Sequence, residues 1–171
     1  MIWRALLTIG FLLIGAPVFL AAGSSPLPSE TEAQLLARIQ KEHDPVKKSK
    51  AETRLARIKL EQAIQAYEQG NTEQGAQLVS VYLGRIKDAW QYLRSSGRNA
   101  ARDPRGFKEL DIELREDARL LDDLKRRISY FERDPIEKAE KEVEQARAEV
   151  LQALFPVARA PEAAKPFAGR N

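Results

Sequence analysis

The sequence predicts an all-α fold: an antiparallel helical bundle of about four long helices with coiled-coil-like seams, preceded by one short N-terminal helix. Three observations carry that expectation. Apolar residues recur at steps of three and four over long stretches, which is the spacing of one helix face. Asp-Pro occurs three times, as Asp44-Pro45, Asp103-Pro104 and Asp134-Pro135. Each can set an N-cap acid before a proline at the first helical position, so together they divide the chain into helical lengths. Strands find no support, because β-branched residues are few and no Asn-Gly or Asp-Gly turn is present.

The chain opens with an address. Arg4 is the only charge before Glu30, and the run from Ala5 to Ala22 is apolar, with Ala21-Ala22-Gly23-Ser24-Ser25 at its exit. A basic start, an apolar stretch and a small-residue exit are the three parts of a secretory signal peptide. Residues 1–23 are therefore expected to be removed after Ala22 or Gly23, leaving a periplasmic or secreted protein. The alternative is a single N-terminal membrane anchor, since eighteen apolar residues are near the length that crosses a bilayer. Residues 24–28 then form a linker, 29–155 the helical bundle domain, and 156–171, rich in Ala and Pro, a disordered C-terminal tail.

Each helix has its own warrant. Ser29 and Glu32 match a capping box that opens a short helix carrying Leu35, Leu36 and Ile39 and ending near His43. The second helix, about 45–69, sets Val46, Thr53, Ala56, Leu60, Ala63, Ile64 and Tyr67 on one face. Ala51, Leu55 and Ile58 form a second stripe, so this helix must lie between two neighbours or be covered by a partner. Gly70 ends it. The third, about 73–96, carries Ala76, Val79, Tyr82, Leu83, Ile86, Trp90 and Leu93. The fourth, about 104–133, carries Phe107, Leu110, Leu114, Leu121, Leu124, Ile128 and Phe131 in heptad spacing. Its expected partner is the third, through Trp90, Ile86, Leu83 and Val79. The fifth, about 135–154, repeats the pattern with Ile136, Ala139, Val143, Ala146, Val150 and Ala153. The Asp134-Pro135 junction holds no glycine, so a reversal and a kinked continuation both remain open.

Composition closes off several chemistries. With no cysteine, disulfides, zinc-cysteine sites and haem attachment are excluded, and stability must come from packing. The single histidine, His43, has Gln40 three residues before it, so the Glu-x-x-His pairs of a di-metal bundle are missing. No glycine-rich phosphate loop occurs, and the serines lie at helix ends or loops apart from Ser129. No metal, no cofactor and no enzyme activity are expected. Nucleic acid is not an expected partner either, given the small net charge and the lack of a broad basic face.

Three features are candidates for binding. Arg94, Arg98, Arg102 and Arg105 cluster around Asn99 and lead into a helix N-terminus, where backbone N–H groups favour an anion or an acidic partner. Against this stands a solvated loop whose arginines only confer solubility. Asp117 occupies a seam position where an apolar side chain belongs. If buried it needs a cation, with Arg85 or Lys87 in reach; otherwise the helix is rotated slightly, with Ala118 and Leu120 inside. Lys47, Lys48, Lys50 and Arg54 make the start of the second helix basic enough for peripheral contact with anionic lipid. The overall expectation is an exported, non-enzymatic protein of the cell envelope that binds an envelope protein, self-associates or gives structural support. The alternative is a small-ligand or anion-binding bundle using the loop from Arg94 to Arg105.

Overall fold

A computed structural model describes residues 30–156. The expected signal peptide with its cleavage site, the expected linker, Ser29 and the expected C-terminal tail from 157 onward lie outside the described residues. Five α-helices follow in order: α1 (Glu32–Lys41), α2 (Pro45–Glu68), α3 (Thr72–Ser95), α4 (Phe107–Arg127) and α5 (Asp134–Leu154). The fold is an all-α bundle, with no strand among the described residues.

Local signals explain most helix ends, and three differ from expectation. One is Asp134-Pro135: Asp134 is the first helical residue and not the cap, Arg133 takes the cap position, and no side chain caps this helix. The first helix is capped by Thr31, not Ser29. Thr31 Oγ1 accepts from the Gln34 N–H at 3.4 Å, and the Gln34 side chain accepts from the Thr31 N–H at 2.8 Å. This is the same reciprocal device shifted by two residues, and it frees Glu32 to pair with Lys59 of α2 at 2.6 Å. Asp44 does cap α2, accepting from the Val46 N–H at 2.9 Å, with Pro45 opening the helix. Asp103-Pro104, however, does not start α4. The Asp103 carboxylate is taken by Arg98 and Arg105, each at 2.7 Å. The helix begins instead at Phe107, after Gly106, whose N–H donates to the Glu109 carboxylate at 2.7 Å.

The fourth helix is also shorter than its heptads suggest. It stops at Arg127, Ile128 is extended, and Tyr130–Glu132 form a single 3-10 turn before α5. Ser129 is therefore in a turn, whereas Ser49 and Ser80, expected at helix ends or loops, lie within α2 and α3. Phe131, expected in the seam, is 92% exposed. The junction is a reversal. Lys125 meets Glu140 at 2.6 Å and Arg147 meets Asp111 at 2.8 Å, so α5 runs back along α4.

The bundle is two hairpins packed side by side. α2 and α3 form one, joined at Gly70-Asn71, and α4 and α5 form the other. Lys87–Glu142 and Trp90–Glu149 contacts place α3 beside α5, running in the same direction. Arg57–Glu113 and Arg127–Glu68 pairs place α2 beside α4. The expected direct seam between α3 and α4 is corrected accordingly: the two lie diagonally across the bundle, and α3's neighbours are α2 and α5. The connection 96–106 is long enough to cross the end of the bundle, whereas a Gly70-Asn71 turn leaves its helices adjacent. Tyr82, Ile86, Leu93, Phe107, Leu114 and Leu121 still share one buried core, and Trp90 meets Phe107 edge-on at 6.1 Å.

The second stripe of α2 is covered from within. Ala51 and Leu55 are buried against Leu35 and Ile39 of α1, with Leu36 and Ile58 at the margin. A stripe left open for a partner is thus excluded at this face. Burial of these groups removes their apolar surface from water at roughly 25 cal/mol per Å².

Gly70 stands at φ 79°, with open space where a Cβ would go. Gly70→Ala should therefore lower stability by about 1–2 kcal/mol through backbone strain alone. Gly70→Asn should cost less, because asparagine tolerates this region. Chemical denaturation of the two variants tests this, and equal stability to wild type for Gly70→Ala would contradict the turn geometry.

Candidate functional site

The arginine loop is folded onto itself. Arg98 and Arg105 clasp the Asp103 carboxylate from two sides, and these bonds hold its pKa well below the ordinary value, Arg105 having the larger effect. Asn99 uses its side-chain oxygen to accept from the N–H groups of Ala101 and Arg102, at 3.0 and 3.3 Å. Arg102 is exposed. Arg94 lies apart, on the flank of α3, with its guanidinium 6.0 Å from the Trp90 ring. The structure thus brings Arg98 and Arg105 together on an internal carboxylate and leaves Arg94 and Arg102 away from them. At the end of α4 that faces the loop, the Gly106 N–H is already engaged by Glu109.

The basic start of α2 is similarly engaged. Lys47 pairs with Glu42 at 3.9 Å, Arg54 with Glu30 at 2.5 Å, and Lys48 sits 5.1 Å over the Tyr92 ring. Lys50 is exposed.

Asp117 is 1% exposed and ties three helices together. Arg57 of α2 brings Nε to 2.9 Å from Oδ1, and the Tyr82 hydroxyl of α3 donates to Oδ2 at 3.0 Å. The counter-ion is therefore Arg57 and not Arg85 or Lys87, because α2 rather than α3 is α4's neighbour on that side. The rotated-helix reading is corrected too: Ala118 and Leu120 flank the core half-buried while Asp117 takes the central position. Burial raises the Asp117 carboxyl to about 6, against the opposing pull of Arg57 and the Tyr82 hydrogen bond. Burial also pushes the Tyr82 phenol well up, and the Asp117 charge adds to this.

Glu52 forms a second buried carboxylate that periodicity did not flag. It is 2% exposed, reaches Arg85 at 3.3 Å, and is raised by burial against the pull of that arginine. A signal was present, since Glu52 lies one turn before Ala56 on the line through Leu60 and Ala63. Lys59, Arg57 and Arg85 all turn inward to carboxylates, so much of the charge on α2 and α3 serves cohesion.

An open groove runs between α3 and α5. Its larger hollow is about 870 Å³, floored by Leu83, Ile86, Trp90 and Ala146. A second hollow of about 600 Å³ continues it past Gly84 towards Asp134 and Pro135. Small residues keep it open. Gly84 has empty space where a Cβ would stand, and Ala146 is the small side chain among the α5 residues that line the larger hollow. The banks differ in charge, with Lys87 and Arg94 on α3 facing Glu142 and Glu149 on α5. A 2.9 Å ion pair between Lys87 and Glu142 separates the hollows, and the Trp90 Nε1–H donates to Glu149 at 2.7 Å. No sequence pattern pointed to the groove, because each of its floor residues also satisfies a core periodicity.

Apolar contact and paired charges are what such a groove offers a ligand. Among the described residues, no cluster of three or more His, Asp or Glu side chains is placed to hold a metal ion. The described residues form an all-α helical bundle with a groove between α3 and α5. Comparison of the chain with known protein families, with characterised proteins and with solved structures finds no match.

Proposed function

We propose that this chain is an exported, non-enzymatic helical protein of the cell envelope that acts as a protein-binding module through the α3–α5 groove. The observation that supports this most directly is the contrast between two apolar faces. The second stripe of α2 is used up by α1, whereas partly buried Leu83, Trp90 and Ala146, with Ile86 buried behind them, line the α3–α5 groove. Concave apolar surfaces rimmed by charge are where helical or extended protein segments dock. Export is supported by the sequence of residues 1–23. Among the described residues no helix is long and apolar enough to cross a membrane.

The test is affinity capture from envelope extract with the natural mature chain and with an Ala146→Arg variant, whose long side chain fills the larger hollow. Partners should be enriched by the natural chain and lost at least tenfold by the variant, with helical content by circular dichroism unchanged. Separately, the protein purified from its own cells and sequenced from the N-terminus should begin at Gly23 or Ser24. Identical partner sets from both chains would overturn the groove as the binding surface. A chain still beginning at Met1 would overturn cleavage.

A further inference from the structure

We infer that the second hollow of the α3–α5 groove receives Phe131 of a second copy of this chain, and that two copies pair through this contact made twice. This rests on reading the groove as a docking surface, names one occupant of it, and leaves the larger hollow for a partner. The knob is plain in the fold. Phe131 is 92% exposed and Tyr130 74%, the two most exposed large hydrophobic side chains among the described residues. Their rings meet edge-on at 5.9 Å on the 3-10 turn between α4 and α5. The hole adjoins it. Asp134 and Pro135 wall the second hollow, Val79 and Leu83 floor it, and Gly84 leaves one side without a side chain. Phe131 precedes Asp134 by three residues, at most about 11 Å of chain. The ring nevertheless stands in solvent and not in its own hollow. A self-complementary dimer needs knob and hole side by side, because one two-fold axis next to the turn then carries each knob to the other copy's hole.

Charges left over in one copy match across that axis. Among the described residues Glu132 accepts only from Ser129, and Arg133 donates only to the Ile128 carbonyl, at 3.5 Å, with its Nε unpartnered. At the hollow, Lys87 and Lys138 share the one carboxylate of Glu142, at 2.9 and 4.0 Å, and Asp134 stands at the rim without an ion pair. Glu132 of one copy therefore complements Lys138 of the other, and Arg133 complements Asp134. Area is sufficient as well. Four aromatic rings, each able to bury roughly 150–250 Å², together with a like area on the surfaces they cover, come to about 1,200 Å² or more, where specific interfaces begin. A lipid surface suits the knob less, because residues 122–134 carry four basic and four acidic side chains and give no net attraction to anionic headgroups.

Sedimentation equilibrium of the mature chain over a concentration series tests the pairing. The natural chain should pass from monomer to dimer. Phe131→Asp removes the knob and Gly84→Gln fills the hollow, and each should raise the dissociation constant at least tenfold. Both positions are exposed, so helical content by circular dichroism should be unchanged. The most telling sample is an equimolar mixture of the two variants. Neither can make the contact with itself, but Phe131 of the Gly84→Gln chain can enter the intact hollow of the Phe131→Asp chain. The mixture should dimerise more tightly than either variant alone and less tightly than the natural chain. A natural chain that stays monomeric throughout, or a mixture no tighter than its components, overturns the inference. So does a monomeric natural chain that pellets with phosphatidylglycerol vesicles when Phe131→Asp does not, which would make lipid the occupant. Capture separates this from the broader reading. If Ala146→Arg loses partners while the natural chain is monomeric, only the self-pairing fails. If the mixture dimerises but capture is indifferent to Ala146→Arg, the second hollow pairs two copies and the larger hollow is not the partner's site.

Discussion

Arg57→Met is expected to destabilise the protein by about 3–5 kcal/mol at pH 8, the usual range when one partner of a buried ion pair is removed. The loss should be much smaller at pH 5. Asp117 is buried among Arg57 and Glu61 of α2, Tyr82 of α3 and Glu113 of its own helix, and Arg57 is the charge that offsets its burial. In the natural protein its carboxyl titrates at about 6, above the ordinary 3.8. The folded state therefore binds a proton more tightly than the unfolded state. The contribution of this group to stability is fully present below about pH 4 and is lost as pH rises through 6, by roughly 2–3 kcal/mol. Removing Arg57 pushes the carboxyl higher still, so at pH 5 the variant buries a neutral acid and loses little. The double change Arg57→Met with Asp117→Asn should recover most of the loss at pH 8, because the amide oxygen still accepts from Tyr82. Urea denaturation at both pH values tests this. A deficit equal at pH 8 and pH 5 would show that Arg57 acts by packing and not by charge.

Leu114→Ala should cost about 2–5 kcal/mol at any pH between 5 and 8. Leu114 is 0% exposed in the middle of α4 and belongs to the core shared with Tyr82, Leu110 and Leu121. Removing three carbons there leaves a dry cavity that helices pinned on both sides cannot collapse around. Ile112, two residues earlier and 50% exposed, is the control: Ile112→Ala should change stability by no more than about 0.5 kcal/mol. A loss below that figure for Leu114→Ala would place it outside the core.

The legible part of this fold was the set of faces. Leu110, Leu114, Leu121 and Leu124 are buried where their spacing put them, as are Ile136, Ala139, Val143 and Val150 on α5. The second stripe of α2 called for a cover, which α1 provides. Local competition was harder to read. Asp103 resembles Asp44 as a cap, yet Arg98 and Arg105 claim its carboxylate and the helix starts four residues later. Phe131 continues a heptad on paper, but Ile128 is extended, so the register breaks and the ring faces solvent. A periodic apolar residue carries no mark of where its helix will end.

By itself, then, the sequence determined that the chain is helical, which side of each helix is apolar, and that Asp117 interrupts an apolar line. Those properties follow from backbone geometry at 3.6 residues per turn and from the cost of leaving apolar surface in water, and both are local to one helix. Only the tertiary structure decided that α3 lies beside α5 and diagonal to α4, that Arg57 answers Asp117, and that Gly84 and Ala146 leave a groove between two helices. Apolar attraction is non-directional, so a stripe states that it must be buried without stating against which neighbour. Ion-pair partners and open grooves depend on that neighbour, and on where small side chains face one another across it.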